Sequence, residues 1–163
     1  MVVILMGVSG SGKTTVGIAL AHALGWGFFD ADDFHSPANV AKMRAGHPLD
    51  AQDREPWLRV LAGLISHLLA QGEDAVLACS ALTERARRVL IEETDPARVK
   101  LVHLTGSPEL LRSRLAHRVG HFMPEDLLGS QLATLQTPKG ALQVDVAGTP
   151  EEIVATIREG LGL

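Results

Sequence analysis

The sequence predicts a three-layer α/β/α fold on a five-stranded parallel sheet, and three observations carry that prediction. Five short apolar runs, at 2–6, 26–30, 75–79, 99–104 and 141–146, alternate with helix-like segments, and no tight hairpin joins any two of them. Strands of that kind belong to a parallel sheet covered on both faces. The glycine-rich stretch GVSGSGKT, residues 7–14, stands between the first apolar run and the first helical segment, the strand, loop and helix context of a phosphate-binding P-loop. Three other polar or acidic segments, 30–35, 79–82 and the loop after Val146, also follow strand ends. Ligands of such sheets collect beyond the carboxyl ends of the strands, so all four segments are expected to meet in one cleft.

Composition sets the frame. A chain of 163 residues, 46% hydrophobic and 21% charged, fits a single domain spanning 1–163, one that buries about two-thirds of its unfolded surface. Cys79 is the single cysteine, which excludes an internal disulfide and suits the reducing cytoplasm. Six residues precede Gly7 and no apolar run nears the length of a span, so neither a signal peptide nor a membrane partner is expected. The net charge of -4 offers no general attraction to nucleic acid, and an anion has to be held by a local cluster.

In chain order, Val16, Leu20, Ala23 and Leu24 give the first helix a buried stripe, and Gly25 closes it. The second strand ends in Asp30, Asp32 and Asp33, with His35 beyond. Ser36 and Pro37 read as an N-cap and first helical residue, placing a short helix at 38–45. Residues 46–56, GHPLDAQDREP, are rich in turn formers and read as an exposed loop carrying Asp50, Asp53 and Arg54. An amphipathic helix follows at 57–70, with Trp57 as its core anchor. Thr83 caps a helix running to about 93, and Ser107-Pro108 opens one containing Leu111, Arg114, Leu115 and Arg118. Gly120, His121, Phe122 and Met123 break that helix before another at 124–136. Thr149-Pro150-Glu151-Glu152 is a capping box for the last.

The chemistry starts at the P-loop. Its glycines let successive N–H groups turn inward on phosphate oxygens, Lys13 adds charge, and the Thr14 hydroxyl offers magnesium one ligand. Such a loop implies a nucleoside triphosphate, without saying whether water or a second substrate receives the phosphoryl group. Switch and motor ATPases place an aspartate at the end of a neighbouring strand to help hold magnesium, but the third strand here ends in Ser80. The acids nearest the loop are Asp30 and Asp32: one can order magnesium, the other accept a hydroxyl proton or align the hydroxyl. Arg114 and Arg118, four apart, share a helix face from which arginines clamp transferring phosphoryl oxygens. The following GHFMP break makes that region a hinged lid. His35, Arg44, His47 and Arg54 lie where an acceptor would enter, and with no cysteine partners they form no zinc site. Cys79, inside an apolar strand, reads as a small buried side chain.

With these residues collected, the chain resembles the gluconokinases of the P-loop, shikimate-kinase-like type. GVSGSGKT, FFDADDFHSPANVAKMRAGHPLDAQDREPWL, CSALTERAR, LRSRLAHRVGHFMP and LLGSQLATLQTP follow that family in order. The resemblance implies a P-loop kinase fold with a helical lid at about 107–136, a homodimer, and ATP- and magnesium-dependent phosphorylation of D-gluconate at its 6-hydroxyl. It implies that Gly7, Ser9, Gly10, Ser11, Gly12, Lys13, Thr14 and Thr15 hold the ATP phosphates and that Thr14 and Asp30 serve magnesium. Lys13, Asp32, Arg114 and Arg118 would carry catalysis, Asp32 as base or substrate orienter, with both arginines in the lid over ATP. His35, Arg54, Ser80 and His121 would line the gluconate pocket together with Asp32, and the loop 147–150, with Gly148 and Pro150, would border adenine. The family often has lysine after CSAL; this chain has Thr83, followed by Arg85, Arg87 and Arg88.

Three other readings compete. A kinase for another hydroxy acid such as shikimate shares the fold but has a glycine-rich loop where CSAL stands. A nucleoside monophosphate kinase needs a base pocket from a chain with 4% aromatic residues and no tyrosine. A nucleotide-binding regulatory switch lacks the acid after the third strand.

Overall fold

The computed structural model describes residues 1–117 and 125–163. Its centre is β1 (Val2–Met6), flanked by β3 (Ala75–Ala78) and β4 (Val99–Thr105), with β2 (Gly27–Asp30) and β5 (Leu142–Asp145) at the edges. The order is β2-β3-β1-β4-β5 and every pairing is parallel, Val2 lying opposite both Ala75 and Val99. The predicted five-stranded parallel sheet is therefore correct.

Alternation along β1 divides the core into two layers, because successive side chains point to opposite faces. Val2, Ile4 and Met6 meet Trp57, Leu61 and Ile65 of α3 (Ala51–Gln71) and Leu90 of α4 (Glu84–Ile91). Val3 and Leu5 meet Val16 and Leu20 of α1 (Lys13–Leu24) and Ile153 and Ile157 of α7 (Pro150–Leu161). Leu61, Ile65, Leu20 and Ile157 are all fully buried, each contributing about 1.5–3 kcal/mol of transfer free energy. A third, smaller cluster lies outside these layers. Val8 of the glycine loop packs with Leu111 of α5 (Pro108–Ala116) and Leu128 of α6 (Glu125–Thr134).

One boundary differs substantially from expectation. The exposed loop predicted for 46–56 is mostly helix, since α3 starts at Ala51 after α2 (Pro37–Arg44). Asp50 and Asp53 form a reciprocal cap, each carboxylate accepting the other's backbone N–H at 2.8 and 2.9 Å, which satisfies donors that a helix start leaves open. Lys42 also donates to Asp53 at 2.5 Å. Pro56 sits inside the helix, depriving one carbonyl of its partner without ending it. Asp50 and Asp53 are thus structural, and Arg54 is an exposed helical residue.

His103 on β4 is almost fully buried, and its Nδ1 has no hydrogen-bond partner among the described residues. Burial, helped by the nearby Arg87 charge, holds its pKa below the usual histidine value, and burial does the same for His35. Unfolded histidines take up protons near pH 6.5, so the unfolded chain binds more protons than the folded one below that pH. Stability is complete above pH 6.5 and falls as the pH drops through the lower folded values. Accordingly, His103→Gln is expected to flatten the decline of Tm between pH 7 and pH 5 in thermal melts. A decline as steep as the wild type's would assign the acid sensitivity elsewhere.

Candidate active site

The glycine loop leaves β1 under tight steric control. A Cβ on Gly7 would lie 2.7 Å from the Leu104 carbonyl, and one on Gly10 would lie 2.9 Å from that of Leu111. Gly10 and Gly12 have φ of +83° and +84°, the region glycine enters without cost. Ser11 is fully buried inside the turn, and its backbone N–H donates to Val8 at 3.2 Å. Lys13 folds back to donate to the carbonyls of Gly7 and Val8 at 3.0 and 3.2 Å. Thr14 lies in the first turn of α1, whose N-terminal dipole faces the loop, and Thr15 beside it is exposed.

The four segments expected to meet at the strand ends are linked by contacts. Thr14 Oγ1 donates to Asp30 Oδ2 at 2.8 Å, and Asp30 Oδ1 accepts the Asp32 backbone N–H at 3.1 Å. The Gly7 N–H reaches the Ser80 carbonyl at 3.4 Å. Arg114 Nη2 donates to the Val146 carbonyl at 2.5 Å, and its Nη1 would lie 3.8 Å from a Cβ on Gly12. Arg114 thus joins the glycine loop to the β5–α7 turn. There Gly148 packs against Glu152, and Pro150 opens α7 behind the Thr149–Glu152 capping box. Arg118 and His121 lie outside the described residues.

The two aspartates differ. Both oxygens of Asp30 are engaged, which fixes its carboxylate against the Thr14 hydroxyl. Asp32, on the 3₁₀ turn Ala31–Phe34, has a side chain 82% exposed, with His35 Nε2 3.8 Å from its Oδ1. Thr14 and Asp30 are hard oxygen donors of the type magnesium takes, an ion that completes its shell with phosphate and water rather than a protein cage. The residues present fit that ion.

His35 forms the wall next to Asp32. Its ring stacks on Trp57, centroids 4.4 Å apart and planes 15° apart, while Trp57 Nε1 donates to the Ala31 carbonyl at 2.7 Å. The His35 side chain is 6% exposed, and its Nδ1 has no partner among the described residues. Burial lowers its pKa against the opposing charge of Asp32, and the Arg54 charge lowers it further. The imidazole is neutral at pH 7 and can exchange hydrogen bonds with hydroxyl groups.

The loop after β3 contains a feature that sequence reading missed. Ala81 has φ of +43°, the only positive value at a non-glycine position among the described residues. Buried Arg87 holds this turn, its Nη1 donating to the Ala81 and Leu82 carbonyls at 2.9 and 3.1 Å. Arg85 and Arg88 point elsewhere, pairing with Glu55 and Glu84, and Thr83 serves as the α4 N-cap. Of the three arginines that follow Thr83, Arg87 is the one that shapes the turn carrying Ser80. Arg87→Met is expected to cost about 2–4 kcal/mol, because two carbonyls lose a charged donor. Urea unfolding measures this, and a loss under about 0.5 kcal/mol would contradict the role. Cys79 just before is fully buried and its thiol is pushed up to about 12 by burial, so it is no nucleophile.

A parallel sheet with a phosphate-binding glycine loop after its central strand, and acids at the end of the edge strand β2, one of them bonded to that loop's helix, defines a P-loop small-molecule kinase. Relatives agree. A family model described as an AAA domain matches residues 2–138. A probable gluconokinase from Mus musculus is 43% identical, the alignment covering 98% of this chain and 97% of the relative. A gluconokinase structure from Sinorhizobium meliloti 1021 has a TM-score of 0.85 at 44% identity, covering 98% of this chain and 90% of that one. An unliganded sugar kinase structure from Janibacter sp. HTCC2649 has a TM-score of 0.89 at 41% identity, with coverages of 99% and 94%. The chain belongs to the gluconokinase family.

Proposed function

We propose that this protein is a gluconokinase, transferring the γ-phosphoryl group of ATP to the 6-hydroxyl of D-gluconate to give 6-phospho-D-gluconate and ADP. The observation that carries the reading is the placement of acids: Asp30 is locked to Thr14 while Asp32 stands open beside the phosphate nest. A hydrolytic switch needs no such open acid facing an acceptor wall. The backbone amides of the loop bind the phosphate oxygens, and Lys13, held near them by the Gly7 and Val8 carbonyls, supplies charge. Magnesium, when bound through Thr14 and Asp30, neutralises charge on the phosphates. Asp32 accepts the proton of the 6-hydroxyl as its oxygen bonds to the γ-phosphorus and the β–γ bridging oxygen leaves with ADP. His35, Arg54 and Ser80 line the acceptor side, Arg54 facing the gluconate carboxylate, with His121 completing it. Arg114 and Arg118 cover ATP from a lid at 107–136, within one kinase domain spanning 1–163, and Gly148 and Pro150 border adenine.

The same reading makes the protein a cytoplasmic homodimer. The free thiol of Cys79 suits that compartment, and among the described residues no helix is long and apolar enough to cross a membrane. The deciding experiment gives purified protein ATP and magnesium with gluconate, other sugar acids, sugars, shikimate or nucleoside monophosphates. Gluconate is expected to be turned over far faster than acceptor-free ATP hydrolysis and faster than the rest of the panel. Equal rates with and without gluconate would reject the assignment, and preference for shikimate would move it to the other hydroxy-acid reading.

A further inference from the structure

α6 presents a continuous face to the nucleotide loop. Leu128, Leu132 and Leu135 recur at helical spacing and pack with Val8, Leu82, Leu111 and Leu115. Gln131 lies on the same face, where a leucine would continue the stripe. Its Oε1 accepts the backbone N–H of Ser9 at 2.6 Å across 122 residues of sequence. The donor is an N–H, so the carboxamide oxygen must be the atom facing it. Just beyond the end of α6, Gln136 makes two contacts with the β3–α4 turn. Its N–H donates to the Leu82 carbonyl at 2.9 Å, and its Oε1 accepts the Glu84 N–H at 2.6 Å. The Val8–Ser9 peptide is thus held by Gln131, and the Leu111 carbonyl of α5 stands close to Gly10 next along the loop.

We propose that Gln131 is a positioning residue for phosphoryl transfer, coupling α6 to the P-loop through the Ser9 amide. A leucine at 131 would extend the apolar contact of α6 with the loop and α5 and leave the Ser9 N–H without this acceptor. Fold stability therefore does not require the glutamine, whereas the orientation of the loop's peptide does. Because Gln136, two residues beyond the end of α6, is bonded to Leu82 and Glu84 of the β3–α4 turn, a shift of α6 is passed to both loops, and Gln131 transmits it to the P-loop. The inference rests on the kinase reading above only in its kinetic part.

The test compares Gln131→Leu and Gln131→Glu with the wild type. Gln131→Leu is expected to melt within a few degrees of the wild type and to lower kcat about tenfold, with KM for ATP changing less than about threefold. Gln131→Glu restores an acceptor and is expected to recover most of kcat, while its charge near the triphosphate raises KM for ATP. A wild-type kcat in Gln131→Leu, or a kcat in Gln131→Glu as low as in Gln131→Leu, would overturn the proposal. Hydrogen exchange gives a readout independent of the acceptor's identity. In the wild type, magnesium–ATP is expected to slow exchange in both the loop and α6; in Gln131→Leu the loop alone should respond. Equal protection of α6 in the two proteins would overturn the coupling even if gluconate proved not to be the substrate. A wild type that couples α6 to ATP but ignores gluconate would reject only the substrate assignment.

Discussion

Asp32→Asn is expected to bind ATP within about twofold of the wild type and to phosphorylate gluconate about 10²–10⁴ times more slowly, the range for losing a positioned general base. The substitution is nearly isosteric, and the 3₁₀ turn does not depend on the side chain: the residue's backbone N–H makes the bond to Asp30, and the carboxylate is 82% exposed, with His35 Nε2 at 3.8 Å. What asparagine removes is the site for the acceptor's proton. Asp32 also raises the His35 pKa against the effect of burial, so in the variant the imidazole is held still more firmly neutral and cannot take over as a cation. Coupled assay of ADP release with saturating gluconate, beside calorimetric ATP binding, separates the two effects. A fall in kcat below about threefold would remove Asp32 from proton transfer.

Arg114→Ala is the second large effect, with kcat expected to fall about 10³-fold, as when an arginine that stabilises the transferring phosphoryl group is lost. The geometry makes the side chain a bridge from α5 to the Val146 carbonyl, its other nitrogen passing over Gly12 at the end of the nest. Arg114→Lys keeps the charge but lacks the planar fork, and cannot donate to Val146 while also reaching phosphate oxygens, so it is expected to recover less than tenfold of the loss. Steady-state kinetics of the two variants test this. A lysine variant near wild-type activity would reduce the requirement to charge alone, and an alanine variant that only raised KM for ATP would make Arg114 a binding residue.

The parts of this molecule legible in the sequence are those written locally. The apolar runs predicted a parallel sheet buried on both faces, though not that β1 lies at its centre, and the glycines with Lys13 and Thr14 predicted the loop after the first strand. Asp30 and Asp32 were visible as a pair, but only the family resemblance separated their roles; the residues alone did not, because the difference depends on a contact from Thr14 on a separate element. The start of α3 was misread for a related reason. Asp50 and Asp53 each look like turn formers, and Pro56 like a stop, until their reciprocal cap is seen to offset the proline. The 3₁₀ turn at Ala31–Phe34 is too short to carry a period. Gln131 and Gln136 escaped notice, and Arg87 could not be told from Arg85 and Arg88 beside it, because the backbone groups they serve are brought to them by the fold.

The stacking of His35 on Trp57 gives the proposed acceptor wall an optical signal of its own. Indole emission responds to the ring stacked on it and to that ring's protonation, and Trp57 is held in place by its bond to Ala31. The other tryptophan, Trp26, packs with the cluster on the opposite face of the sheet, against the layer of α1 and α7. One fluorophore therefore sits at the acceptor wall and the other in the opposite layer. Replacing Trp26 by phenylalanine would leave a protein whose intrinsic fluorescence reports on the acceptor side alone, without a dye or a label.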